Sequence, residues 1–219
     1  MAHHLQKEIN LLKESLIRIG ALTEESVTKA IHALNEKDDE LADSVIEGDK
    51  VINDLEMEIE ENCLKVIALH QPVAKDLRYL SVMMKVNNEF ERIADIASNI
   101  AEHAHHLSKN PDIEAPYDYK AMGEVVCEMQ KKSLDSYVKY DQDLAVEVMK
   151  MDDQVDEMHA EMYGKVKEAI VNDPANIDTY INYMTLSKHL ERIADHAENV
   201  ANDIYYMICG ESSRHKSWS

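Results

Sequence analysis

Two pairs of carboxylates, Glu91 with Asp95 and Glu191 with Asp195, stand in identical Glu-Arg-Ile-Ala-Asp strings a hundred positions apart (191 − 91). On a helix, residues four apart lie on one face a turn from each other, so each pair can offer oxygens to a single cation. A second polar stripe recurs earlier in each half. It is Asp49, Asn53 and Glu56, then Asp152, Asp156 and His159, in register at a shift of 103 (152 − 49). Stripes on neighbouring helices converge on a groove, and oxygen donors with one imidazole suit iron, manganese or zinc. In a chain that is 30% charged, a single acidic pair is ordinarily a solvated helix face. Repetition changes that reading. Like charges at i and i+4 destabilise a helix by roughly 0.2–0.5 kcal/mol, so repeating them calls for a compensating cation.

The elements that must carry these stripes are helices throughout. Leu5, Ile9, Leu12, Leu16 and Ile19 step by four and three, as do Leu41, Val45, Gly48, Ile52, Leu55 and Ile59. Leu144, Val148, Met151, Val155, Met158 and Met162 repeat the second series at the shift of 103 (144 − 41). The shift then falls to 100, a deletion of three residues in the turn before the last helix of the second half. On the third helix the apolar seam is Met83, Val86, Phe90, Ile93, Ala97, Ile100 and Ala104, which turns Glu91 and Asp95 outward with Asn88, Asn99 and Glu102. The matching outward face carries Glu191, Asp195, Glu198, Asn199, Asn202 and Asp203.

Four prolines punctuate the pattern. Pro72 and Pro174 are predicted to begin the last helix of each half, while Pro111 and Pro116 fall in a linker over 108–118. The expected fold is all-α: two tandem, pseudo-repeated three-helix bundles over 1–107 and 119–210, with a fraying tail over 211–219 that holds Trp218. One Phe, one Trp and twelve Met imply a mainly aliphatic core in which methionine fills gaps.

A net charge of −20 excludes unaided binding to nucleic acid or anionic lipid and favours cations and basic partner surfaces. It equally disfavours a bare pocket for free phosphate unless metal or local arginines reverse the sign. Cys63, Cys127 and Cys209 form no Cys-x-x-Cys, which fits a reduced, cytosolic setting, and Cys63 and Cys209 are expected as core thiols. Lys7, Glu8, Lys13, Glu14 and Arg18 rule out a signal-peptide core, and no stretch approaches membrane-spanning length. The five glycines include no Gly-x-x-x-x-Gly-Lys loop, and no Gly-x-Ser-x-Gly motif occurs, so neither a kinase or ATPase nor a serine hydrolase is indicated. A di-iron carboxylate oxidase or metal-storage bundle is the alternative, but it needs Glu-x-x-His on two helices, and only Glu102 to His105 matches. His103, His105 and His106 are expected at a solvated helix end, facing the negative end of the helix dipole.

Taken with Glu47-Gly48-Asp49-Lys50, His70-Gln71-Pro72 and Asp76-Leu77-Arg78, the two Glu-Arg-Ile-Ala-Asp helices give a chain that resembles the PhoU family over nearly its whole length. The resemblance implies a non-enzymatic cytoplasmic regulator. Such a protein links a phosphate-importing ABC transporter, through its ATPase subunit, to a sensor histidine kinase and restrains both when phosphate is ample. It acts at the inner face of the membrane through these partners, and a homodimer is left open. It also implies multinuclear metal clusters on the bundle surfaces, iron or zinc with manganese as a further candidate. Carried over, one site would use Asp49, Asn53, Glu91 and Asp95, and the other Asp152, Asp156, Glu191 and Asp195. Asn53 departs from the acidic pattern: an amide supplies an oxygen without charge, so the first site is expected to bind more weakly.

Overall fold

In a computed structural model, which describes residues 2–109 and 113–211, each half starts its second helix by the same local device. A residue in the left-handed region, Lys37 (φ 56°) or Tyr140 (φ 57°), reverses the chain. The aspartate that follows then caps the next helix: Asp38 accepts from the Leu41 amide at 3.0 Å, and Asp141 from the Asp143 amide at 2.9 Å. The two turns are again 103 apart (140 − 37).

The helices are α1 (Ala2–Glu36), α2 (Asp39–His70), α3 (Ala74–Ser108), α4 (Tyr119–Lys139), α5 (Gln142–Asn172) and α6 (Ile177–Cys209). Trp218 lies outside the described residues. Pro72 precedes α3 by two residues instead of opening it, because Gln71 (φ 46°) and Ala74 (φ 49°) are both left-handed and the chain must unwind between them. Pro174 opens a 3-10 turn, Pro174–Asn176, and α6 follows it. In both places the helix begins later than the proline suggests.

Helices α2, α3, α6 and α5 form one layer in that order, and α1 and α4 lie behind it in contact with each other. The buried apolar residues of both halves form a single continuous cluster. Phe90, Ile93, Ile100 and Ala97 from α3 belong to it together with Leu186, Leu190, Ile193 and Ala197 from α6, all at most 1% exposed. Two glycines set the approach of the back helices. A Cβ on Gly20 would lie 2.6 Å from Leu134, and one on Gly123 would lie 3.1 Å from Ile31. Both partners also obey the 103 shift (123 − 20 and 134 − 31), so α1 and α4 cross antiparallel about a pseudo-two-fold axis.

The first bundle is the longer one. The first fourteen residues of α1 (2–15) have no counterpart in α4, whose 21 residues begin where Leu16 would fall (119 − 103). The 113–117 stretch lies there instead, with the Tyr117 hydroxyl donating to the Tyr183 carbonyl at 2.7 Å.

Candidate metal centre

Helices α5 and α6 bring Asp152, Asp156 and Asp195 together, with one carboxylate oxygen from each within 4.8 Å of the others. The apolar seams dictate this. Val155, Ile193 and Ala197 are fully buried, so the residues beside them on each helix reach the rim of the groove between the two. Burial, and then the neighbouring Glu198, Asp156 and Asp195, push the Asp152 carboxyl up to about 7. Burial and Glu191 raise Asp195 in the same sense. Burial first raises Glu198 as well, with Asp195, Asp153 and Asp156 adding to it. A cluster in which three acids resist ionisation has the electrostatics of a cation site.

Glu191 stands differently. Lys188 donates to it at 2.7 Å from one turn earlier, so its charge is already met. His159 is tied inward, its Nδ1 2.8 Å from the Ser187 hydroxyl, and burial lowers its pKa. Glu198 is the member absent from the carried-over ligand set, although it shares the outward face with Asp195. Its signal was spacing: it lies three residues after Asp195, a near neighbour on the helix surface.

In the first half Asn53 donates its amide to Asp49 at 2.9 Å. Burial, then the charge of Asp95, raises the Asp49 carboxyl. Burial, then Asp95, Glu56 and Asp49, raises Glu91. The remaining oxygens, Asp49 Oδ1 and Asn53 Oδ1, are buried with no hydrogen-bond partner. Two orphaned acceptors one helical turn apart fit a cation, since each would otherwise carry an uncompensated desolvation cost. Glu56 is drawn aside by Asn87, which donates to its side chain at 3.1 Å. The amide's weakness is testable. Asn53→Asp adds a charge at this point, and titration should show metal affinity at the first half rising several-fold, whereas unchanged affinity would remove Asn53 from the ligand set.

Three expectations are corrected. His103 is not at a solvated helix end: it packs 5.2 Å from His189 across the α3–α6 contact and its Nδ1 lies 3.1 Å from Asn182. Burial, then His103, pushes the His189 imidazole down to about 4. His105 bridges Asp39 (2.9 Å) and Asp43 (3.0 Å), while His106 alone is exposed. Cys63 is a core thiol, but Cys209 is only half-buried and donates to Gln142 at 2.9 Å, because α6 runs out there into Gly210.

The PhoU domain profile matches twice, over residues 16–104 and 119–204. The chain is 39% identical to the phosphate-specific transport system accessory protein PhoU homolog of Aquifex aeolicus, over 97% of this chain and 96% of that one. It is 32% identical to the homolog of Pseudomonas aeruginosa, over 98% and 91%. Among solved structures, the crystal structure of PhoU from Pseudomonas aeruginosa superposes with a TM-score of 0.90 at 33% identity, covering 94% of this chain and 99% of that one. The phosphate transport system regulatory protein PhoU from Streptococcus pneumoniae gives 0.83 at 28% identity, over 95% and 98%. The second matched segment begins at residue 119, where the 103 shift places the start of the first (119 − 16). The repeat first visible in two acidic strings is therefore a tandem domain pair, and the chain belongs to the PhoU family.

Proposed function

We propose that this protein restrains phosphate uptake and phosphate-starvation signalling, acting as an intermediary between a phosphate ABC transporter and a sensor histidine kinase. The observation that carries the reading is the near full-length correspondence to relatives named as accessory proteins of phosphate-specific transport. The role is regulatory and not catalytic. Among the described residues no helix is long and apolar enough to cross a membrane, so membrane partners would be engaged through their cytoplasmic parts, the ATPase subunit and the kinase's soluble region.

The acidic grooves would hold transition metal, iron or zinc, in a multinuclear arrangement. Asp152, Asp156 and Asp195 with Glu191 would serve the second half, and Asp49, Asn53, Glu91 and Asp95 the first. Bound metal would supply positive charge on a face that is otherwise repulsive to anions. The chain's own residues do the rest: Lys188 holds Glu191 at the groove edge, and Asn53 holds Asp49. Complementation tests the reading. In a bacterium lacking its own PhoU, expression of this chain should restore repression of a phosphate-starvation reporter in phosphate-rich medium. A folded, expressed chain that leaves the reporter fully on would overturn it.

A further inference from the structure

The two halves differ at one back groove, and the second half shows what the first lacks. Between α4 and α5, Lys132 is held by Glu128 at 2.9 Å and by Glu147 at 3.2 Å, and it lies 3.9 Å from the Met151 sulfur. Moved back by 103, these residues become Lys29, Glu25, Ser44 and Gly48. The Lys29–Glu25 pair persists at 2.6 Å. Ser44 instead turns its hydroxyl to the Leu41 carbonyl at 2.7 Å, and beyond the neighbouring residues and backbone of its own helix turn nothing among the described residues lies within 4 Å of where a Gly48 Cβ would be.

A hollow of about 180 Å³ results, walled by Leu22, Val45, Val51 and Ile52, with the Lys29–Glu25 pair at its rim. One water needs only about 10–15 Å³, so the space accepts a whole side chain. Gly48 is helical, with no left-handed φ to require glycine, and glycine is the least favoured helix-interior residue after proline. Its use there is accounted for by the hollow. Val51 is 53% exposed beside it.

We propose that this groove is a docking socket for a helix of a partner protein that presents a methionine- or leucine-sized side chain and, one turn away, a carboxylate. The apolar group enters over Gly48 and the carboxylate meets Lys29, reproducing from outside what Met151 and Glu147 provide within the second half. A second copy of this chain cannot supply the pair from α5, where both are already engaged. The inference does not rest on the phosphate-regulatory reading.

The test uses the full chain, with chelator present to exclude metal effects, and an alanine-rich helical peptide carrying one Glu-x-x-x-Met pair with a labelled methionine methyl group. Saturable methyl shifts should appear on titration. Gly48→Met should weaken binding about tenfold or more by occupying the socket, while raising the thermal midpoint by filling space and removing a helix glycine. Ser44→Glu, at an exposed position that tolerates substitution, should weaken it several-fold by giving Lys29 a carboxylate in cis. Gly164→Met, an equally uncrowded helix glycine away from the groove, should leave it unchanged. No binding at millimolar peptide, or wild-type binding by both Gly48→Met and Ser44→Glu, would overturn the socket.

Discussion

Gly20→Leu should destabilise the protein far more than Gly20→Ala, and the loss should be recovered in part by shortening Leu134. A Cβ at position 20 would lie 2.6 Å from Leu134 Cδ1 and 3.1 Å from two Phe90 ring carbons. Leu134 is in contact through the end of a flexible side chain, which can swing away from one methyl group. Phe90 is fully buried and has nowhere to go. Alanine therefore balances a contact cost against the roughly 1 kcal/mol gained by removing a helix glycine. Leucine must displace α1 from α4, and overpacking of this kind costs about 1–3 kcal/mol. The same change at Gly123, against Ile31, should add a similar amount, because the two contacts are related by the pseudo-two-fold axis and share no residue. Against a total of about 5–15 kcal/mol, the paired variant should lose about 2–6 kcal/mol, a large part of its stability. Denaturant titration decides it. A Gly20→Leu, Leu134→Ala double variant no more stable than the sum of its parts would mean that the two side chains do not meet.

That contact also marks how far the sequence could be read. Periodicities of four and three gave six helices, and the register of the repeat located both acidic stripes, because outward and inward faces of a helix alternate predictably with spacing. The glycines carried a signal too: Gly20 and Gly123 share the 103 shift. Spacing alone cannot say whether a glycine is there for a close approach or for a hollow, and Gly20 and Gly48 turn out to be opposite cases. The fate of His103 was hidden for a related reason. Periodicity within one helix does not reveal a second helix from the other half, and α6 covers α3 with His189 and Asn182 at that level. Polar side chains compound the difficulty, since long ones choose among neighbours. Glu191 pairs with Lys188, three residues earlier, and Glu56 with Asn87, 31 residues away.

The α3–α6 contact joins the halves differently at its two ends. At one end Lys85 pairs with Asp203 at 3.2 Å and Glu89 with His196 at 2.6 Å. At the other, two neutral imidazoles, His103 and His189, meet with their rings tilted 44° to each other in a half-buried setting. The bundles are thus bound along a shared apolar spine, so a change in one acidic groove is borne by helices that also pack against the other half.

Metal should reverse the pH dependence that the second groove imposes on folding. In the metal-free protein the Asp152 carboxyl is raised from 3.8 to about 7 by burial and by Glu198, Asp156 and Asp195. A carboxyl whose folded pKa lies above its unfolded value binds a proton on folding, so its contribution to stability is greatest below about 4 and is lost as pH rises to about 7. Compared with Asp152→Asn, which carries no such charge, the wild type should therefore lose ground across that window and hold a constant deficit above it. A divalent cation competes for the same oxygens and displaces the proton, so its benefit should grow with pH. At pH 8, with ligand at a hundred times its dissociation constant, mass action contributes about 2.7 kcal/mol. For a chain of this size that is a rise in thermal midpoint of about 5–10 °C. The rise should nearly vanish at pH 5. Asp152→Asn with Asp156→Asn should melt higher than wild type without metal at pH 8 and should keep at most the smaller increment contributed by the first half, where Asn53 stands in place of an acid. If metal-free wild type instead keeps pace with the Asp152→Asn variant or becomes the more stable of the two as pH rises from 4 to 7, or if the double variant retains the full metal increment, the three aspartates are a solvated surface and the cation, if one binds, sits elsewhere.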